Sequence, residues 1–164
     1  TIPILVMNAE EEGFEECIQH QLEPCIYSAR QLDNFIRQLI YAGTSLYPIH
    51  VKIETGMNRL GFNQHELPAF IETLKSQPEV RIKSIYSHLA DADDIDSSFV
   101  HEQTQRFQSA INYIKKYVNY PYECHILNSE GVLNHSHYHF DMVRLGIGMY
   151  FKLNLMKFVK NIYL

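Results

Sequence analysis

The chain has 164 residues, a formal net charge of −5, and a composition that is 46% apolar and 20% charged. Those figures describe a globular protein with a core to bury. They exclude a nucleic-acid groove, which an acidic chain of pI near 6.0 would repel. No apolar run approaches the roughly 18 to 20 residues of a membrane span, and the opening TIPILVMNAEEE lacks the regions of a secretory signal. The first residue is Thr1 rather than Met, so the chain is expected to begin inside a longer polypeptide. Three well-separated cysteines, Cys17, Cys25 and Cys124, point to a reduced, cytoplasmic protein rather than a disulfide framework.

Taken in chain order, Ile4-Leu5-Val6-Met7 is apolar throughout and predicts a strand covered on both faces. Cys25-Ile26-Tyr27 predicts a second. Ser28 then reads as the N-cap of a helix with Leu32, Phe35, Ile36 and Leu39 as its apolar stripe and Gly43 as its stop. Ile49 to Ile53 predicts a third strand. Asn63 with Glu66 three residues on resembles a capping box, opening a helix through Leu67, Phe70, Ile71 and Leu74 that stops before Pro78. Ile82 to His88 is the fourth strand. The longest helix opens near Ser97 and buries Val100, Phe107, Ile111, Ile114 and Val118. Cys124 to Leu127 and Met142 to Arg144 are the fifth and sixth strands.

This alternation predicts an α/β fold with a parallel sheet. No Gly-rich dinucleotide fingerprint follows the first strand, which favours a (β/α)8 TIM barrel over a doubly wound sheet. About six of eight strands are visible and a complete barrel takes roughly 200 residues or more. The expectation is therefore a partial barrel lacking its first two strands.

Reactive groups of such barrels collect at the carboxyl ends of the strands. The third strand ends in Lys52-Ile53-Glu54-Thr55-Gly56-Met57-Asn58-Arg59, placing two cations beside one loop. They are either a solvated pair or a carboxylate fork with Lys52 shaping it. Lys52 and Glu54 share strand parity, so both are expected to point into the barrel. His88 closes the fourth strand. Asn128-Ser129 and Leu145-Gly146-Ile147-Gly148 follow the last two, either as ordinary caps and turns or as a phosphate cradle made of a hydroxyl and glycine-flanked amides. Asp91, Asp93 and Asp94 read as a solvated loop, lacking calcium-loop spacing. His135, His137 and His139 alternate and could hold zinc on a strand, but Asn134, Ser136 and Tyr138 suggest a surface loop, and no metal is assigned.

Four collinear segments now resemble alanine racemase, a pyridoxal-phosphate enzyme family of fold-type III. They are Val51 to Phe62, Tyr86 to Ala90, Asn128-Ser129, and Phe140 to Tyr150. The resemblance implies pyridoxal 5′-phosphate as cofactor, alanine as substrate and a role in D-alanine supply for peptidoglycan. It also implies a homodimer in the full-length protein, without nucleic-acid or membrane partners. It matches Lys52 to a lysine carbamylated in many members. Arg59 falls on the residue that holds the substrate carboxylate, and His88 on the histidine that hydrogen-bonds the catalytic tyrosine. Arg144 matches the arginine facing the pyridine nitrogen. Asn128, Ser129, Gly146 and Ile147 match the phosphate site.

The resemblance runs from Ile4 to Tyr150, and residues 1–150 are read as the barrel piece. The Lys/Asn-rich segment 151–164 is read as an unrelated tail. The family's Schiff-base lysine and its opposite-base tyrosine have no counterpart in this chain, so the isolated chain is expected to aggregate and not to turn over. A parent fused behind a cell-wall ligase would fit, as would a stand-alone racemase. A racemase for serine would share every motif. A non-catalytic pyridoxal-phosphate barrel would share the Arg-x-Gly loop but not usually the Thr55 to Gly61 stretch.

Overall fold

The computed structural model describes residues 2–150. Five strands, β1 (Leu5–Val6), β2 (Glu23–Ile26), β3 (Tyr47–Lys52), β4 (Val80–Tyr86) and β5 (Glu123–His125), form one sheet in the order β1-β2-β3-β4-β5. Every neighbouring pair is parallel. Strictly sequential order, with right-handed crossovers, winds the connections onto one face. A doubly wound sheet would reverse its order at a switch point, and this one does not.

The crossover helices are α1 (Phe14–Gln19), α2 (Ala29–Tyr41), α3 (Leu67–Ser76) and α4 (Ser98–Ile114), followed by the short α5 (Ser129–Asn134). Ser28 caps α2, its Oγ accepting from the Gln31 N–H at 3.3 Å, a contact worth about 1 kcal/mol. Gly43 ends that helix at φ +64° while Thr44 N–H donates back to the Leu39 carbonyl. The expected stripe of α2 is buried, with Phe35 edge-on to both Phe14 and Tyr47. The Asn63–Glu66 capping box is present, and a single 3-10 turn leads from it into α3. α4 opens after Ser97 and buries Val100, Phe107, Ile111 and Ile114, while Val118 is buried in the turn beyond.

The sheet is apolar where it meets these helices and polar on its other face. Tyr47, Ile49 and Val51 share the core face of β3, so His50 and Lys52 face the other way. On β4, Val80 pairs with Tyr47 and Ile82 with Ile49, but Ser84 pairs with His50. One extra residue, Lys83, is thus inserted between Ile82 and Ser84, and this bulge turns Ser84 and Tyr86 onto the face of His50 and Lys52. Cys25 joins them from β2 and His125 from β5. All six are buried.

Two expectations are corrected. β1 is two half-buried residues at the sheet edge, paired only with β2, so it is not covered on both faces. Met142 to Arg144 form no sixth strand. The chain turns at Phe140, with φ +50°, and touches β5 and its extension through two amides, Asp141 to Cys124 and Arg144 to Leu127. Five strands, not six, are therefore formed among the described residues. Regular β3 ends at Lys52, and Glu54 lies beyond it, where its carboxylate accepts from the Gly56 and Arg59 N–H groups.

No helix among the described residues is long and apolar enough to cross a membrane. All three cysteines are free and buried. The segment read as an unrelated tail lies outside the described residues.

Candidate functional site

The polar face ends at the carboxyl termini of β3, β4 and β5, where the sequence-marked residues meet. Arg144 is the hub. Its backbone N–H holds the Leu127 carbonyl at 3.0 Å, which fixes the chain after β5 beside the sheet. From there Nη1 reaches His125 Nδ1 at 2.6 Å, and Nη2 reaches the Ser87 carbonyl at 2.8 Å, the Ile126 carbonyl at 3.2 Å and His88 Nδ1 at 3.3 Å. The guanidinium also lies 5.0 Å from the centroid of the Tyr86 ring. No carboxylate ion-pairs with Arg144 among the described residues.

Such a half-buried cation shifts its surroundings. Burial pushes Arg144 down to about 10, so it stays charged at neutral pH. His125 is pushed down to about 3, first by burial and then by the charge of Arg144. His88 is pushed down to about 4 by burial, with the cations Arg144, Arg59 and Lys52 adding to it. A guanidinium has only donors to offer, so each imidazole must accept at Nδ1 and carry its proton on Nε2. His88 therefore presents a neutral Nε2–H at the strand end.

Lys52 is buried at the end of β3, 6.0 Å from the Tyr86 ring centroid and in no ion pair among the described residues. Its amine is pushed down, chiefly by burial, with Arg59 and Arg144 contributing. Arg59 is exposed on the loop that follows. Glu54 shapes that loop by accepting from the Gly56 and Arg59 N–H groups. The loop is pinned back onto β3 by Phe62 N–H to the Lys52 carbonyl at 2.8 Å and Glu54 N–H to the Phe62 carbonyl at 3.0 Å. Gly61 turns the chain at φ +135°, where a Cβ would lie 2.6 Å from Glu54 N.

On the other side of Arg144, Ser129 Oγ accepts from Gly146 N–H at 3.0 Å and Gly148 N–H at 3.1 Å. With two bonds accepted, its own proton is left to donate outward. Ile147 opens a 3-10 turn, so its N–H has no helical partner. Gly146 is exposed, and a Cβ there would meet nothing nearer than Ser129 Oγ at 4.0 Å. A hydroxyl, amide donors and a cation so grouped suit an anionic oxygen group. Asn128 sets the start of α5, its Oδ1 accepting from Gly131 N–H at 2.8 Å.

Structure thus brings Lys52, His88, Arg144, Ser129, Gly146 and Ile147 to one edge of the sheet, with Arg59 on the adjoining loop. His135 is buried and bonds the Asp94 carbonyl at 3.0 Å, and no three metal-ligating side chains cluster among the described residues. His125, His50, Ser84 and Tyr86 were not singled out from the sequence. A histidine within the fifth strand was the available signal for one of them.

Sequential parallel strands with their ionisable groups gathered at the carboxyl ends define a barrel-type α/β protein with a strand-end site. The chain belongs to the alanine racemase family: residues 1–154 match the model of the alanine racemase N-terminal domain. An alanine racemase of Synechocystis sp. is 37% identical over 154 residues, covering 92% of this chain and 41% of that protein. One of Nostoc sp. is 36% identical over 158 residues, covering 90% and 39%. Among solved structures, alanine racemase of Bacillus anthracis with bound L-Ala-P aligns with a TM-score of 0.81 at 26% identity, over 92% of this chain and 39% of that one. That of Bartonella henselae, with covalently bound pyridoxal phosphate, gives 0.75 at 25% identity, over 91% and 42%. The chain thus spans about two fifths of the length of these relatives.

Proposed function

We propose that the strand-end cluster holds pyridoxal 5′-phosphate, and that the protein carrying this chain is a cytoplasmic, homodimeric alanine racemase supplying D-alanine for the cell wall. The observation that carries this reading is the joining of Arg144 to the Ser129–Gly146 turn in one cluster. The residues present fit the group: a cation without a carboxylate partner suits an acceptor nitrogen, and the hydroxyl with the Ile147 amide suits a phosphate.

Bound there, pyridoxal phosphate would supply an electron-withdrawing ring that acidifies the α C–H of an amino acid. Arg144 would donate to the ring nitrogen yet keep its own proton, because a guanidinium near pKa 10 does not release it at neutral pH. Ser129 and the Ile147 amide would hold the phosphate, with exposed Gly146 letting it approach the backbone and Asn128 setting the helix start that presents Ser129. Arg59 would take the substrate carboxylate in its planar fork. Lys52, once carbamylated, would become an anion able to orient Arg59. Neutral His88 would donate its Nε2–H to the opposite base, as the family resemblance implies.

We assign to this chain the cofactor's ring and phosphate contacts. Equilibrium dialysis of the protein carrying this chain against pyridoxal phosphate and against pyridoxal tests the reading. The phosphorylated form should bind more tightly, and Arg144→Ala or Gly146→Val should weaken it at least about tenfold. Equal retention of both forms would overturn the phosphate assignment.

A further inference from the structure

Behind Arg144 an unbroken file of side chains crosses the polar face of the sheet. His125 Nε2 lies 3.1 Å from Ser84 Oγ, and Ser84 Oγ lies 2.6 Å from His50 Nδ1. His50 Nε2 ends the file 2.8 Å from Glu23 Oε2. His125, Ser84 and His50 are buried, and the Glu23 side chain is 13% exposed. Five elements contribute: the segment after β5, then β5, β4 and β3, with β2 supplying the last acceptor.

The donors in this file can be assigned one after another. Arg144 can only donate, so His125 accepts at Nδ1 and carries its proton on Nε2. That N–H donates to Ser84 Oγ. The Ser84 hydroxyl then has its proton free for His50 Nδ1, which leaves the His50 proton on Nε2, aimed at the Glu23 carboxylate. Every donor points the same way, from the cation to the anion.

We propose that Glu23, His50 and Ser84 are positioning residues for Arg144: they form a one-way hydrogen-bond relay that locks His125 in the tautomer whose Nδ1 accepts from the guanidinium. The proposal rests on the reading that Arg144 meets the cofactor ring. It goes beyond that reading by assigning work to three residues further back on the same polar face of the sheet. Reversing the relay at any member leaves a buried donor facing a donor, a costly arrangement in a low-dielectric interior. The relay also links Arg144 to the carboxylate of Glu23 through polarised bonds, without a contact that would occupy the face turned to the site.

A proton on His50 would break the order. Both imidazoles would then donate to Ser84, and the Ser84 proton would have no acceptor. Burial pushes His50 toward the neutral form, with Lys83 acting in the same direction and Glu23 and Glu123 opposing. His125 is faced by Arg144 and by His50 itself.

Histidine 15N NMR of the protein carrying this chain, without cofactor, reads the tautomers directly. His50, His88 and His125 should each show a protonated Nε2 and a bare Nδ1 at neutral pH, and a protonated Nδ1 on His125 overturns the proposal. This wild-type spectrum decides the matter even where a variant fails to fold. Ser84→Ala should take the acceptor from His125 Nε2–H, moving its 15N shift, and weaken pyridoxal phosphate about tenfold, the loss of one net hydrogen bond. Ser84→Thr, which keeps the hydroxyl, should restore both. An unchanged His125 spectrum in Ser84→Ala sinks the relay even if the cofactor binds. The expected tautomers with no cofactor binding sink the site reading instead and leave the relay standing.

Discussion

Arg144 Nη1 sits 2.6 Å from His125 Nδ1, a cation held by a neutral imidazole that can only accept. That pairing has a cost in acid. His125 titrates near 6.5 when unfolded and is pushed down to about 3 in the fold. Between those values the unfolded chain binds a proton that the folded chain does not, so stability falls as pH is lowered.

The expected loss from His125 alone is about 1.4 kcal/mol per pH unit across that window. His88, pushed down to about 4, acts in the same direction. Urea midpoints measured from pH 7 to pH 4 check this. His125→Asn should be flatter than the wild type by about one proton's worth of slope, and equal slopes would contradict the assigned neutral state.

The loop that carries Arg59 turns on two glycines, Gly56 and Gly61, both at φ +135°. At Gly61 a Cβ would lie 2.6 Å from Glu54 N and 2.7 Å from Ile53 C, both backbone atoms that cannot swing aside. Gly61→Ala should cost about 2 to 3 kcal/mol by backbone strain, with the loop displaced from β3. Thermal unfolding with hydrogen exchange at Phe62, whose amide holds Lys52 at 2.8 Å, would show it. Gly43→Ala at φ +64°, with open space around it, should cost only about 1 kcal/mol.

Lys52 should accept carbon dioxide. Burial and the neighbouring cations Arg59 and Arg144 lower its amine, leaving more of it neutral and nucleophilic. The neutral amine adds to carbon dioxide and releases one proton, turning a cation into an anionic carbamate. 13C NMR in labelled bicarbonate should show one carbamate resonance, absent in Lys52→Met. A wild-type spectrum without that signal would remove Lys52 from the proposed role.

How far the sequence carried the fold can be seen residue by residue. Ser28, Gly43 and the Asn63–Glu66 box were legible because caps depend on local chemistry, and each stands where it was expected. Lys52, His88 and Ser129 were legible because strand order and parallel pairing place carboxyl ends together, whereas Arg144 reaches them from a non-strand segment through its N–H to the Leu127 carbonyl. Two things were hidden. Strict alternation on β4 puts Ser84 on the face of Ile82, and only the inserted Lys83 turns it toward His50. The extended Met142–Arg144 segment has strand composition but makes only spaced contacts to β5, because Phe140 and Asp141 turn the chain first.

The central claim is that a guanidinium, which keeps its proton, meets the cofactor's ring nitrogen. The most direct measurement is the 15N chemical shift of pyridoxal phosphate labelled at that nitrogen and bound to the protein carrying this chain. A hydrogen-bonded but unprotonated pyridine nitrogen, shifting when Arg144 is replaced by Glu, is the result expected. A pyridinium signal in the wild type, or a shift indifferent to Arg144→Glu, would contradict it.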